Sequence, residues 1–437
     1  MEKLDILLLY EKAVRELDVA CLIKYLAENL YGLRVEVAQQ CYSQPRLFRK
    51  FLRPKLIVLP FCYQPRSQNQ FLIKWRKSVF FNLTWEQLSY KGNRTAKTPR
   101  GEFALNHVIH HSWSNDFADL LKSKGVPQKN IFLNGNLALT LYQEPYCRFF
   151  KQRSDLAKIY KIDPQKKWIF FPENFNWAFY DDAMLKQMIN EGQPSQQVFE
   201  MQDFSKKSFN TVIKWCDNLA KRGDTEIIIR PRPATSIDSF IHRILQTIPS
   251  IFPKMHIINN ESVREWVLAS NTVISSYSTT LIEGAIAGKK VFMLEPIPFI
   301  ESIYQGWYDL LPHIRNEEEF LSLAKNEDLK NGFELEKWAR KAVFQVKDPI
   351  RNLVEYLNKI CQGEVEVPPA PSRKSITLGG QGNFPWWYYY WKNKFSLLVR
   401  KPRKPLIEPI YVNDVKSQHE IPQRTRKWGD TINRFSR

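Results

Sequence analysis

The stretch SSYSTTLIEGAIAGKKVFMLEP, residues 275–296, decides how this chain is read. Five Ser and Thr residues and Tyr277 fill its first six positions. A run with helical spacing and small residues follows, then a short apolar strand. The apolar run Asn271-Thr272-Val273-Ile274 stands directly before it. Strand, hydroxyl-rich turn, helix and strand make a βαβ unit. In an open parallel sheet, ligands sit outside the carboxyl ends of the strands. There the free N–H groups and the dipole of the next helix favour an anion. Ser275, Ser276, Ser278, Thr279 and Thr280 add hydroxyl donors at the same place, so phosphate is the natural guest. Glu283 lies three residues after Thr280 and faces the same end. It serves there either as an acceptor for a ribose diol or as the partner in a helix cap, because Ser or Thr with Glu three later is a capping box.

Working outward, the same alternation recurs along the chain. Residues 5–10 and 55–60 are near-continuous apolar runs, as expected of strands buried on both faces. Residues 33–38, 78–83, 108–112 and 130–136 read as further strands, the last with a tight turn. Helical spacing covers 17–31, stopped by Gly32, and 115–124, stopped by Gly125. After a polar break at about 143–166 the pattern restarts with strands at 168–172, 226–230 and 256–259. Helices are expected at 206–222, 236–245, 263–269, 316–324 and 335–357. Strands alternating with helices imply parallel sheets with right-handed crossovers. The expected organisation is therefore two βα-repeating domains, residues 1–150 and 165–360, with a tail at 362–437.

Two other strand ends carry suggestive chemistry. The run Ile227-Ile228-Ile229 ends in Arg230-Pro231-Arg232-Pro233, two arginines in a loop stiffened by proline, and arginine forks suit phosphate or carboxylate. The run ending at Phe171 leads into Pro172-Glu173-Asn174-Phe175-Asn176-Trp177, from which Asn174 is taken as a donor-binding candidate. Three such loops in one half of the chain are expected to converge on one crevice. His107, His110 and His111 have no neighbouring Cys or carboxylate set and read as ordinary strand-end histidines, so no metal site is assigned.

Composition narrows the partners. The 437 residues carry a net charge of +19, which argues for an anionic partner. The six cysteines, at 21, 41, 62, 147, 216 and 361, are dispersed and form no CxxC pair, which fits reduced thiols in the cytoplasm. No signal-peptide pattern opens the chain, and no run reaches the roughly 18 apolar residues a spanning helix needs. From residue 373 onward there are 14 Lys and Arg against 4 Asp and Glu, about half of the excess charge. The cluster Trp386-Trp387-Tyr388-Tyr389-Tyr390-Trp391 sits in this tail. Interfacial aromatics with Lys and Arg suit an anionic membrane surface, so residues 385–404 are expected to dock on the inner face of the cytoplasmic membrane. Nucleic-acid binding is disfavoured, because no known module pattern is present.

Several of these stretches together resemble one family. Leu9-Tyr10-Glu11-Lys12-Ala13-Val14-Arg15-Glu16-Leu17-Asp18 is similar to an opening strand followed by a "K-x-R-E" loop. Asn82-Leu83-Thr84-Trp85-Glu86 is similar to a strand ending in Trp-Glu. Trp113-Ser114 through Gly125 to Gly135-Asn136 resembles the close of an N-terminal domain, and Ser275-Ser276 resembles the serine pair that holds the phosphate of a CMP-sugar or related nucleotide-sugar donor. The family is the bacterial surface-carbohydrate-biosynthesis group of GT-B-fold glycosyltransferases, related to capsule Kdo transferases and CDP-glycerol glycerophosphotransferases. One departure stands out: Arg230-Pro231-Arg232-Pro233 occupies the place where relatives carry His-Pro.

The resemblance implies an α/β protein of GT-B fold, with two Rossmann-like domains facing a cleft and a basic aromatic C-terminal tail. It implies an N-terminal acceptor domain and a C-terminal nucleotide-donor domain. It further implies metal-independent transfer of a sugar from a nucleotide-activated donor, as co-substrate and without a cofactor, to a surface polysaccharide or lipid-linked glycan. Glu16 and Glu86, in loops after N-terminal strands, are then the candidates for the base that takes the acceptor proton. Asn174, Arg230, Arg232, Ser275, Ser276, Ser278, Thr279, Thr280 and Glu283 are the candidates for donor binding. The alternatives are a polyol-phosphate transferase or nucleotide-sugar epimerase on the same fold, and a non-catalytic membrane-associated assembly protein with a degenerate donor site.

Overall fold

A computed structural model describes residues 2–40, 52–63, 74–88, 97–232, 235–325, 332–372, 395 and 417–435. The stretch 385–404, apart from Phe395, and Pro233 lie outside the described residues. The chain divides into two units, Met1–Leu141 with Lys341–Arg437, and Tyr142–Arg340.

In the first unit the strands are β1 (Glu2–Tyr10), β2 (Val35–Gln39), β3 (Leu52–Leu59), β4 (Val79–Asn82), β5 (Val108–Ser112) and β6 (Ile131–Leu133). They form one parallel sheet in the order β2-β1-β3-β4-β5-β6. In the second, β7 (Lys167–Pro172), β8 (Thr225–Arg230), β9 (Met255–Ile257), β10 (Thr272–Ser275), β11 (Lys290–Leu294) and β12 (His313–Ile314) form another. Its order is β12-β11-β10-β7-β8-β9, again with every pair parallel. The apolar runs explain the sheets. Leu7, Leu8, Leu9, Ile227, Ile228 and Ile229 are all buried, and burying each such side chain contributes about 1.5–3 kcal/mol. Strands covered on both faces must be apolar throughout, which is why they read as unbroken runs.

The small residues of the opening stretch have a packing cause. A Cβ on Gly284 would fall 2.7 Å from Val291 Cγ1 and 3.3 Å from Val273. Glycine here lets the helix Thr280–Ile286 lie directly on β10 and β11.

Five sequence expectations are revised. The helix expected over 335–357 is two helices, Phe333–Val343 and Pro349–Gln362. Pro349 opens the second, and the Asp348 carboxylate accepts from Ile350 N and Arg351 N. Proline at a first helical position with an Asp cap starts a helix and cannot continue one. Between the two, the chain passes over Gly135, whose missing Cβ would lie 2.8 Å from Pro349 Cγ. Asn136 N donates to Val343 O at 2.7 Å and Gln345 N to Asn134 O at 3.0 Å. Residues 341–360, expected to close the second domain, thus belong to the first unit.

The polar break at 143–166 holds the helix Arg153–Tyr160, and the long helix expected from 206 begins at Ser195. The tail, expected only as a basic aromatic extension, ends in the helix Ile421–Phe435. Ile421, Trp428 and Ile432 form its buried stripe against the helix Ala13–Tyr31. Arg424 pairs with Asp18, and Trp428 Nε1 donates to Asp18 O at 2.8 Å.

Candidate functional site

In the second sheet the chain leaves β7 toward β8 and β9 on one side, and later runs from β10 to β11 and β12 on the other. The strand order therefore reverses between β7 and β10, and the carboxyl ends flanking such a reversal open a crevice for ligands. The candidate donor residues follow these strands. Because β10, β7 and β8 are neighbours, the three loops lie side by side.

Their contacts sort the candidates. Ser275, fully buried, donates its hydroxyl to Pro172 O at 2.8 Å and lies 3.5 Å from Asn174 Oδ1. Tyr277 Oη donates to Asn174 O at 2.8 Å. These two bonds tie the β7 and β10 loops together. Ser276 is also fully buried, but its hydroxyl has no hydrogen-bond partner among the described residues. Ser278 Oγ bonds Thr280 Oγ1 at 3.2 Å and accepts from Thr280 N at 3.3 Å. Thr279 is exposed and its side chain caps nothing. The capping-box reading is not realised: Glu283 accepts instead from the hydroxyl of Tyr142. Burial raises the Glu283 carboxyl pKa, with Tyr142 and Arg264 opposing.

The two arginines diverge. Arg230 is buried and reaches the carbonyls of Asn259, at 3.4 Å, and Glu261, at 3.1 Å. It braces the turn after β9. Arg232 is exposed, and its Nη1 donates to Asn176 Oδ1 at 2.9 Å.

The first sheet reverses between β1 and β3. Glu16 is not on a loop as expected but in the first turn of the helix Ala13–Tyr31 that follows β1; it and Glu86, on the loop after β4, are joined by one arginine. Arg15 Nε donates to Glu16 Oε1 at 3.0 Å, and its Nη1 pairs with Glu86. Glu16 is 1% exposed and accepts from Glu11 N at 2.7 Å. Burial raises its pKa to about 7 against the pull of Arg15. The Glu86 side chain is 40% exposed and also pairs with Lys97. Burial pushes its pKa up, but Lys97 and Arg15 outweigh this and the net shift is downward. Thr84, two residues earlier, has φ +47, a strained backbone for a β-branched residue that the Asn82 side chain supports by accepting Thr84 N at 3.2 Å.

All ring nitrogens of the buried His110 and His111 have partners. His110 bonds Asn82 Nδ2 and Ala104 O, and His111 bonds Leu83 O and Asn134 Nδ2. Burial lowers both pKa values to about 4, so the rings are neutral parts of the core.

Sequence reasoning passed over Glu173. It is 3% exposed, and Oε1 accepts from Phe175 N. Oε2 is buried without a hydrogen-bond partner among the described residues. Nothing in a polar loop signals that a carboxylate will be enclosed; only the neighbouring loops enclose it.

Solved structures share this architecture. A UDP-N-acetylglucosamine 2-epimerase superposes with a TM-score of 0.53 at 13% identity, covering 85% of this chain and 100% of that one. The wall teichoic acid polymerase TagF superposes with a TM-score of 0.51 at 12% identity, covering 83% of this chain and 90% of that one. At such identities the likeness is one of fold: this is an α/β chain with two parallel six-stranded sheets, of GT-B type. No family model matches the chain, and no curated protein is similar to it in sequence.

Proposed function

We propose that the chain is a GT-B glycosyltransferase that takes a sugar from a nucleotide-activated donor and passes it to a surface-polysaccharide or lipid-linked glycan acceptor. The observation that carries this reading is the buried, unpartnered Ser276 hydroxyl at the reversal point of the second sheet. A buried polar group left without a partner costs about 1–3 kcal/mol, which a bound phosphate oxygen would recover. Arg232 adds an exposed guanidinium beside the same loops, and Glu283 offers a carboxylate to a ribose once Tyr142 releases it. The fold is shared with a UDP-N-acetylglucosamine 2-epimerase and a wall teichoic acid polymerase, which agrees with a nucleotide-linked substrate.

The first unit supplies the acceptor side in this reading. Glu86 is the carboxylate an acceptor hydroxyl can reach, while Arg15 and the enclosed Glu16 hold it in place. The tail at 385–404 brings the enzyme to an anionic membrane where lipid-linked acceptors reside. No described helix is long and apolar enough to cross a membrane.

The test is a thermal-shift screen against CMP, CDP, UDP, GDP and their sugar conjugates. A ligand at 100 times its dissociation constant stabilises by about 2.7 kcal/mol, a visible shift. Stabilisation by one base supports the reading and identifies the donor class. No shift with any of them overturns it. Product analysis with the binding donor then separates transfer from epimerisation, because only transfer needs an acceptor and releases free nucleotide.

A further inference from the structure

We propose that Glu173 meets the donor diphosphate as a neutral carboxylic acid, so that donor binding is coupled to the proton on this residue. The inference rests on the donor reading above and deepens it. Its basis is the strand ends themselves, independent of the short helix Thr280–Ile286.

Glu173 follows β7 and Ser276 follows β10, one on each side of the reversal point. Both are almost fully buried, at 3% and 0% exposure; the Ser276 hydroxyl and Glu173 Oε2 have no hydrogen-bond partner of normal geometry among the described residues, although the Arg232 amide lies near enough to the Glu173 carboxyl to pull its pKa down. The two loops are tied to each other by the Ser275–Pro172 and Tyr277–Asn174 hydrogen bonds. Each orphaned polar group calls for a partner, and at the reversal point of the sheet a bound ligand can supply one to both.

The charge on Glu173 decides what that ligand can be. An ionised carboxylate would repel a diphosphate, whereas a carboxylic acid donates an O–H to it. Burial raises the Glu173 pKa to about 7, with the Phe175 amide and the guanidinium and amide of Arg232 opposing. Arg232 and Tyr277 are the ionisable groups that face it. The pKa of Tyr277 is raised chiefly by its own burial, and Glu173 adds to the shift, so this phenol stays neutral. The proton is therefore present below neutrality and leaves as pH rises through about 7. Diphosphate binding holds it in place, and affinity falls as pH rises.

The experiment is calorimetric titration of the full chain with UDP-N-acetylglucosamine and CDP-glycerol. Their diphosphates are diesters and do not themselves titrate near neutrality. Wild type is expected to bind about tenfold more weakly at about pH 8 than at about pH 6, with proton uptake visible as a dependence of the heat on the buffer. Glu173→Gln, the neutral isostere, is expected to bind equally at both values without that dependence. The same pH dependence in wild type and Glu173→Gln, with binding retained, overturns the inference alone. Failure of both diesters to bind either protein at either pH overturns the inference, and the donor reading falls with it only when no nucleotide-sugar of the thermal-shift screen binds. In the free protein at about pH 6, an infrared carboxylic-acid C=O band that disappears in Glu173→Gln is expected, and its absence removes the proton from this residue.

Discussion

The Ser275 hydroxyl donates to the backbone carbonyl of Pro172 at 2.8 Å, joining the ends of β10 and β7, while the adjacent Ser276 hydroxyl bonds to nothing described. Two consecutive serines therefore have different work. Ser275→Ala is expected to destabilise the protein by about 1 kcal/mol, the net worth of a hydrogen bond whose acceptor is then stranded. Ser276→Ala, which removes a buried hydroxyl that has no partner among the described residues, is expected to raise the unfolding midpoint and to weaken nucleotide binding about tenfold. Denaturant unfolding and nucleotide titration of the two single variants check this. Equal effects on binding with no difference in stability would contradict the division.

The Arg15 bridge between Glu16 and Glu86 makes its own prediction. Removing one partner of a buried pair costs about 3–5 kcal/mol, because it strands the other charge. Glu16 can escape by taking up a proton, since its folded pKa is already raised to about 7. Arg15→Met is therefore expected to be mildly destabilising at about pH 5 and strongly destabilising at about pH 8. Melting temperatures at the two values decide the matter, and a pH-independent loss would exclude an ionisable Glu16.

His110 and His111 act in the opposite direction on acidification. Their folded pKa values, about 4, lie below the ordinary value of 6.5. The unfolded chain then binds protons the folded one refuses, so stability is complete above about pH 6.5 and falls as pH drops toward 4. Glu16 and Glu173, raised from 4.5 to about 7, contribute stability that is complete below 4.5 and is lost as pH rises through 7. The two slopes oppose each other in the overlap. Replacing Glu16 or Glu173 by Gln should leave a steeper acid loss between about pH 6 and 5. Proton NMR should show two histidine rings that do not titrate between about pH 5 and 8, and titration of all rings near 6.5 would refute the burial account.

The C-terminal helix should stabilise the first unit. Trp428 is fully buried and hydrogen-bonded to Asp18 O, and a Cβ on Gly429 would lie 2.8 Å from the Tyr25 ring. Trp428→Ala is expected to cost about 3–5 kcal/mol and to open the helix Ile421–Phe435 to proteolysis. An unchanged melting temperature would show that the helix is not part of the folded unit.

Much of the fold is legible because buried parallel strands must be apolar along their whole length. Residues 5–10, 55–60 and 226–230 announce themselves this way. Shorter or half-exposed elements do not: β12 has two residues, and the helix Arg153–Tyr160 has a weak apolar stripe among charges. The C-terminal helix was present in the spacing of Ile421, Trp428 and Ile432, but its partner lies some 400 residues away in the chain and its flanks are rich in proline and charge. At the candidate site, the hydroxyl-rich turn after β10 was readable from its residue types. The splitting of its serines, the turning of Arg230 toward Asn259 and Glu261, and the pairing of Glu283 with Tyr142 were not.

By itself the sequence determined the two βα-repeating halves and the carboxyl ends at which polar loops cluster, and its charge raised the expectation of an anionic partner. These follow from local rules: solvent exclusion dictates composition, and turn chemistry dictates where strands stop. Only the tertiary structure decided the order of strands within each sheet, and with it which loops become neighbours. It alone enclosed Glu173 and Glu16 and raised their proton affinity. A carboxyl group's charge depends on the water and charges around it, and those are set by loops far away in sequence.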